Sequence, residues 1–229
     1  MLELFQFPWS PYCFVPKLIL DYCGVPFKSI AVPPNDRTLV WKATRERYYG
    51  VPILRDGREV VFETDPNSQV ICKYLDFKFQ AGLFPTGLEG VQSILWRYIE
   101  NDVEEMTFKL NDAHYREFVP KAQQLAYLRH KERKFGAGCI DHWRENAEAL
   151  QAELTRRLLP FEDMLLEQPF LLGDVPRFVD FDLHGMLGNF LFTGHYGLPA
   201  EHGRLKRWYE ALPKLKHPNV AQHRKKLRS

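Results

Sequence analysis

A layer of strands and helices over about 79 residues, followed by an all-helical half, is the architecture this 229-residue sequence predicts. Three observations predict it. Up to about residue 79 short apolar runs alternate with helical patterns, the signature of an α/β layer. Residues 80–88, Gln-Ala-Gly-Leu-Phe-Pro-Thr-Gly-Leu, set two glycines and a proline between patterned segments, as a linker does. Beyond them the apolar residues recur near every 3.6 positions and no strand alternation is sustained. The expected division is therefore a first domain at 1–79, a linker at 80–88 and a helical domain at 89–229.

Residues 2–7 read as a strand. Residues 16–23 read as an amphipathic helix, stopped by Gly24 and the following Val25-Pro26. Residues 27–32 give a second strand, and the polar, Arg-rich stretch 35–49 gives an irregular helical link. Two β-like runs, 52–55 and 59–62, flank Asp56-Gly57, a strong hairpin signal, and residues 67–78 close the half as a helix. This order, βαβ, a link, then ββα, matches the thioredoxin-like layer. In the second half, residues 90–112, 120–135, 140–167, 180–193 and 204–212 are expected helices. The basic tail, 217–229, has few apolar residues to anchor it and reads as a loosely held terminus.

Lys and Arg number 31 against 29 Asp and Glu, a formal net charge of +2. That balance offers no global attraction to nucleic acid or to an anionic membrane. No apolar run reaches the roughly 20 residues of a membrane span, and the N-terminus lacks the pattern of a signal peptide, so a cytoplasmic location is expected. The four cysteines, at 13, 23, 72 and 139, are sparse and show no zinc-type pairing. His184, His195, His202 and Asp182 show no metal-like spacing either. Neither disulfides nor a metal are expected.

Ser10-Pro11-Tyr12-Cys13 follows the first strand and precedes the first helix. At such a helix start the unpaired N–H groups and the helix dipole favour negative charge, so a sulfur anion can be held there. A resident Cys-x-x-Cys pair would stand at this position in a thioredoxin-type redox protein, but serine replaces the first cysteine and only Cys13 remains. Read without further context, Ser10 is as well explained by a helix cap and Cys13 by a small buried residue.

A thioredoxin-like half followed by a helical half resembles the glutathione S-transferase superfamily over nearly the whole chain. Ser10-Pro11-Tyr12-Cys13 is similar to that family's Ser/Cys-Pro-aromatic segment. Gly50-Val51-Pro52-Ile53-Leu54 resembles its Val-Pro-x-Leu strand entry, where the proline is usually cis and Val51 would present its backbone to an extended peptide. The run from Asn67-Ser68 through Ile71 to Tyr74-Leu75 is similar to its acidic-Ser-x-x-Ile-x-x-Tyr-Leu helix. The resemblance implies that Ser68 caps that helix and holds a γ-glutamyl carboxylate; Asn67 replaces the usual acid, and Glu63-Thr64 offers a competing reading in which Glu63 supplies the charge. Gly173-Asp174 leading to Val179-Asp180-Phe181 is close to its Gly-Asp…Ala-Asp pattern. Arg177 stands where a capping serine or threonine is usual, so Asp180 is expected to stabilise its helix start without a capping-box partner.

What the resemblance implies is a glutathione-dependent transferase, a homodimer, acting on a small hydrophobic electrophile. Ser10 would donate a hydrogen bond to the glutathione thiolate, which does the attacking. Trp9, Tyr12, Cys13, Phe14, His114 and Tyr115 are the candidates for the second-substrate pocket, and Arg45, Arg47 or Tyr48 for the glycine carboxylate of glutathione. The alternatives are a glutathione-dependent thiol reductase using Cys13 and a non-catalytic binding or scaffold protein. The charge run 129–134 reads as a solvated helix face.

Overall fold

The computed structural model describes residues 1–64 and 69–220, so Asn67, Ser68 and most of the basic tail lie outside the described residues. The first part runs β1 (Leu2–Gln6), α1 (Pro11–Tyr22), β2 (Phe27–Ala31), α2 (Thr38–Ala43), β3 (Ile53–Asp56), β4 (Glu59–Phe62) and α3 (Val70–Phe79). Its strands form one mixed sheet in the order β2-β1-β3-β4, with β1 parallel to β2 and antiparallel to β3. Strand periodicity sorts the side chains: Leu2, Leu4 and Leu54 face the core shared with α1 and α3, while Phe5 and Ile53 pack with Val40 of α2 on the other face. In the β3–β4 hairpin Asp56 pairs with Glu59, and Gly57 between them takes φ +62°, a conformation that needs no Cβ.

Three boundaries differ from the sequence expectation. α1 starts at Pro11, five positions before the residue from which apolar spacing begins to count. Proline is preorganised for a first helical position and surrenders only an N–H that would be orphaned there. Pro16 then falls inside the helix and has no N–H to return to the Tyr12 carbonyl. The link before β3 contains a short true helix, α2, and the last helix of this part begins at Val70.

The second part comprises α4 (Glu89–Tyr98), a π-helical turn (Ile99–Val103), α5 (Glu104–Asp112), α6 (Tyr115–Phe118), α7 (Gln124–Phe135), α8 (Cys139–Glu145), α9 (Ala147–Met164), α10 (Phe178–Phe190) and α11 (Gly203–Ala211). The single helix expected over 140–167 is broken at Asn146. Its side-chain amide and its backbone N–H both donate to the His142 carbonyl, at 2.8 and 3.1 Å, and close α8.

The segment expected as a linker is tied down. Leu83 is fully buried, and its carbonyl accepts from Gln92 Nε2 at 3.0 Å and from the Phe178 N–H at 3.2 Å. The Asp76 carboxylate takes the Leu83 N–H at 2.8 Å. Close packing joins the two parts as well: a Cβ on Gly185 of α10 would lie 2.7 Å from Val15 Cγ2 and 2.9 Å from the Pro11 carbonyl of α1. One apolar core therefore runs from Leu2 through α1 and α10 to Leu212.

Two further expectations are corrected. Lys131, within the run read as solvated, has a largely buried side chain whose Nζ lies 2.5 Å from Asp112 Oδ2 and 5.0 Å from the centre of the Phe108 ring. Asp180 does find capping partners, because the backbone of any residue at position 177 can supply them. Its Oδ2 accepts the Arg177 N–H at 2.8 Å, and its own N–H donates to the Arg177 carbonyl at 3.0 Å.

Candidate functional site

A cavity of about 760 Å³ opens where the sheet meets the helical half. α1 contributes Tyr12, Val15 and Pro16; the loop before β3 contributes Arg47, Tyr48, Val51 and Pro52; the end of β4 contributes Phe62, Glu63 and Thr64. Gln69, Ile71 and Cys72 close one side, and Trp96, Glu100, Phe178 and Asp182 reach in from the helical half. The Val51–Pro52 peptide is cis. Glu63 occupies the first turn of α3, where its two carboxylate oxygens accept the Val70 and Ile71 N–H groups at 2.8 and 3.2 Å.

Of the side chains singled out in the sequence, Tyr12, Val51, Pro52, Glu63 and Thr64 thus stand together on this wall. Ser10 does not line it. It sits at the N-cap of α1, 8% exposed, with a hydroxyl that bonds no helix N–H and faces the Cys13 thiol. Cys13 is wholly buried, and burial pushes its thiol up to about 12. Trp9 is buried in a second apolar cluster, stacked on Phe7. Phe14 packs on Phe192 and would touch a Cβ placed on Gly188. Tyr115 stacks on Tyr127, and His114 on His195 with ring centres 3.8 Å apart. None of these last five is on the cavity wall.

Arg45 is exposed and off the wall, whereas Arg47 and Tyr48 are on it. What aims them is Thr44, which sequence reasoning missed. Its fully buried hydroxyl accepts the Tyr48 N–H at 3.1 Å and lies 3.0 Å from the Val40 carbonyl, bracing a turn in which Arg45 and Glu46 take φ of +53° and +64°. Two successive residues in that region store strain of order 1–3 kcal/mol each, so the loop depends on this brace. Arg47 lies over the Phe62 ring, and Tyr48 stacks on it.

The inner end of the cavity is acidic. The π turn adds a residue to the helix winding, so that Trp96, Glu100 and Glu104, spaced by four, stay on one face opposite α10. Burial raises the Glu100 carboxyl, and Glu104 and Glu63 add to the rise. Asp182 is raised well above the usual carboxylate range by burial and then by Glu100 and Glu104. Burial pushes Glu104 up to about 7, and its carboxyl meets the Tyr12 hydroxyl.

A stability profile follows from Glu104. An unfolded glutamate releases its proton near pH 4.5, but the folded one keeps it to about pH 7. The native state therefore binds the extra proton between these values, and stability falls as pH rises through that window. Denaturant titrations at pH 5 and pH 8 are expected to show a loss of roughly 2–3 kcal/mol from this group. Glu104→Gln should make the profile shallower by about that share, Glu100 and Asp182 keeping contributions of the same sign, and an unchanged slope in that variant would remove Glu104 as a cause.

The structure also gathers His114, Glu117 and His195, whose possible ligand atoms all lie within 4.8 Å of one another. Separated by 78 residues or more from His195, the other two gave no spacing signal. The two rings stack at 16°, and His195 Nε2 and His114 Nδ1 both approach Glu117 Oε1, at 2.8 and 3.4 Å. Among the described residues no helix is long and apolar enough to cross a membrane.

Residues 4–82 match the family model described as glutathione S-transferase, N-terminal domain. No curated protein matches the sequence significantly. Solved structures similar to the whole chain include the glutathione transferase GSTFuA3 of Phanerochaete chrysosporium, at 18% identity and a TM-score of 0.76 over 92% of this chain and 95% of that one. A glutathione S-transferase of Ceriporiopsis subvermispora, solved with glutathione, aligns at 17% identity and a TM-score of 0.75 over 94% and 99%. Glutaredoxin 2 of Salmonella typhimurium, also solved with glutathione, aligns at 14% identity and 0.70 over 97% and 98%. The chain thus has the glutathione transferase fold, with a thioredoxin-like first domain that matches the N-terminal domain of that family.

Proposed function

We propose that this chain binds glutathione in the cavity and holds its thiolate for attack on a small hydrophobic electrophile. The observation that carries the reading is the cavity itself, bounded by the N-terminal turns of α1, the cis Val51–Pro52 peptide and the start of α3. An extended peptide laid along this edge would meet the Val51 backbone, and Arg47 is placed for a carboxylate by charge-assisted hydrogen bonds. Thr64, beside Glu63, and Asn67-Ser68 complete the proposed contacts to the γ-glutamyl end.

Ser10 is the proposed thiolate donor: its hydroxyl stands at the positive end of α1 and satisfies no helix N–H, and it would turn from the Cys13 thiol toward the cavity to do so. The thiol proton passes to solvent, a carbon–sulfur bond forms, and the leaving group departs with its bonding pair. The reading includes a homodimer in the cytoplasm. Thiol reduction through Cys13 is disfavoured, since a buried thiol pushed up to about 12 supplies almost no thiolate near neutral pH.

Calorimetric titration with glutathione, with the 240 nm thiolate absorbance followed across pH 5 to 9, tests the proposal. Binding is expected, with the glutathione thiol titrating below its free value and reverting in Ser10→Ala. Binding without that shift removes Ser10 from its role. No binding removes the transferase reading and leaves a non-catalytic bearer of the fold.

A further inference from the structure

The acidic inner end of the cavity is not explained by a peptide lying along its outer edge. Asp182 is 1% exposed and lines the cavity, yet its Oδ2 has no hydrogen-bond partner among the described residues. Trp96, on the same wall, turns its indole N–H to the Glu100 side chain. Buried polar atoms are nearly always paired, and an orphaned oxygen on a cavity wall marks a place where something polar is received. Glu100 lines the same wall, and the π turn that carries it is the kind of irregularity found at functional sites.

The sign of that ligand follows from the charges. Among the described residues, Glu63, Glu100 and Asp182 line the cavity against one cationic side chain, Arg47 at the outer loop. Like charges so close repel, which together with burial keeps protons on these acids, and a cation that takes the place of such a proton relieves the same repulsion. An ammonium group carries three donors and no acceptor, which suits carboxylate oxygens converging from α10 and the π turn. The rest of the inner wall, Val15, Ile71 and Phe178, is apolar and suits a hydrocarbon bearing the charge rather than a hydrated metal ion.

We propose that Glu100 and Asp182 form a subsite for a protonated primary amine carried by the second substrate. The proposal rests on the glutathione reading only in calling this ligand the second substrate.

The test compares benzylamine with its neutral and anionic analogues, benzyl alcohol and benzoate, by calorimetry at pH 7 on the full chain. Benzylamine is expected to bind about tenfold or more tightly than benzyl alcohol, with benzoate weakest. Asp182→Asn and Glu100→Gln should each erase most of the preference. Equal binding of amine and alcohol by the unaltered protein overturns the proposal and needs no variant that folds. So does a preference retained in both variants.

Saturating glutathione is expected to leave benzylamine binding in place. Competition between them would assign the acids to glutathione's own ammonium and also overturn the proposal. Amine preference without any glutathione binding would instead sink the transferase reading alone.

Discussion

Asp180→Ala is expected to cost the protein about 3–5 kcal/mol, most of a typical domain's stability, read as a shifted urea midpoint. The carboxylate joins three separate pieces of chain. It accepts the Arg177 N–H at the start of α10, the Leu171 N–H at 3.0 Å from the loop after α9, and the Trp208 indole N–H at 3.0 Å from α11. It is 0% exposed, so water cannot replace the lost oxygens, and alanine would strand three buried donors together. Asp180→Asn keeps the volume but turns an amide NH₂ toward one of those donors, and should lose roughly half as much. A loss under about 1 kcal/mol for the alanine variant would show that the three elements hold without it.

The contrast between Asp180 and the cavity shows what a sequence can and cannot tell. Asp180 stood out through the resemblance to the Gly-Asp…Ala-Asp pattern, and the cap it makes was underrated because Arg177 supplies it from the backbone, which any residue carries. The layer was legible because its signals are local: alternation at Leu2 and Leu4, and Asp56-Gly57 between two short runs, are neighbour effects. The apolar run alone missed Pro11, whose helix-starting role leaves no apolar signal, and composition, which marked 80–88 as a linker, carries nothing about the groups from α4 and α10 that hold Leu83.

The site was legible only along its outer edge. Val51-Pro52 and Glu63 lie in short motifs whose backbone needs are local. The inner acids are not a motif: Glu63, Glu100 and Asp182 meet only because α1 approaches α10 across Gly185 and because a π turn rotates Glu100 into line. Trp9, His114 and Tyr115 lie off that wall for a related reason: Trp9 and Tyr115 pack in the apolar cluster with Phe108 and Trp143, and His114 stacks on His195, partners that only the helical half brings near.

Lys131→Met is expected to destabilise the protein by about 3–5 kcal/mol, while the double variant Lys131→Met, Asp112→Leu should recover part of that loss, the rest remaining because the Tyr127 hydroxyl loses its acceptor. Asp112 is 2% exposed; its Oδ1 accepts the Tyr127 hydroxyl at 2.8 Å, and its Oδ2 faces Lys131 Nζ at 2.5 Å. The Lys131 ammonium lies over the rings of Phe108, Tyr127 and Phe135, and methionine, of similar length, reaches the same aromatic surround without the charge. What methionine removes is the charge, leaving a buried carboxylate opposite thioether and aromatic carbon. Removing the second charge removes that penalty, which is why the pair can cost less to lose together than singly. The surface-run reading makes the opposite forecast, near zero for Lys131→Met, because exposed pairs contribute about 0–1 kcal/mol. Urea unfolding of the four proteins in the cycle separates the two, and it does so without reference to any ligand: a coupling energy near zero would return Lys131 to the solvated face that its neighbours in sequence suggest.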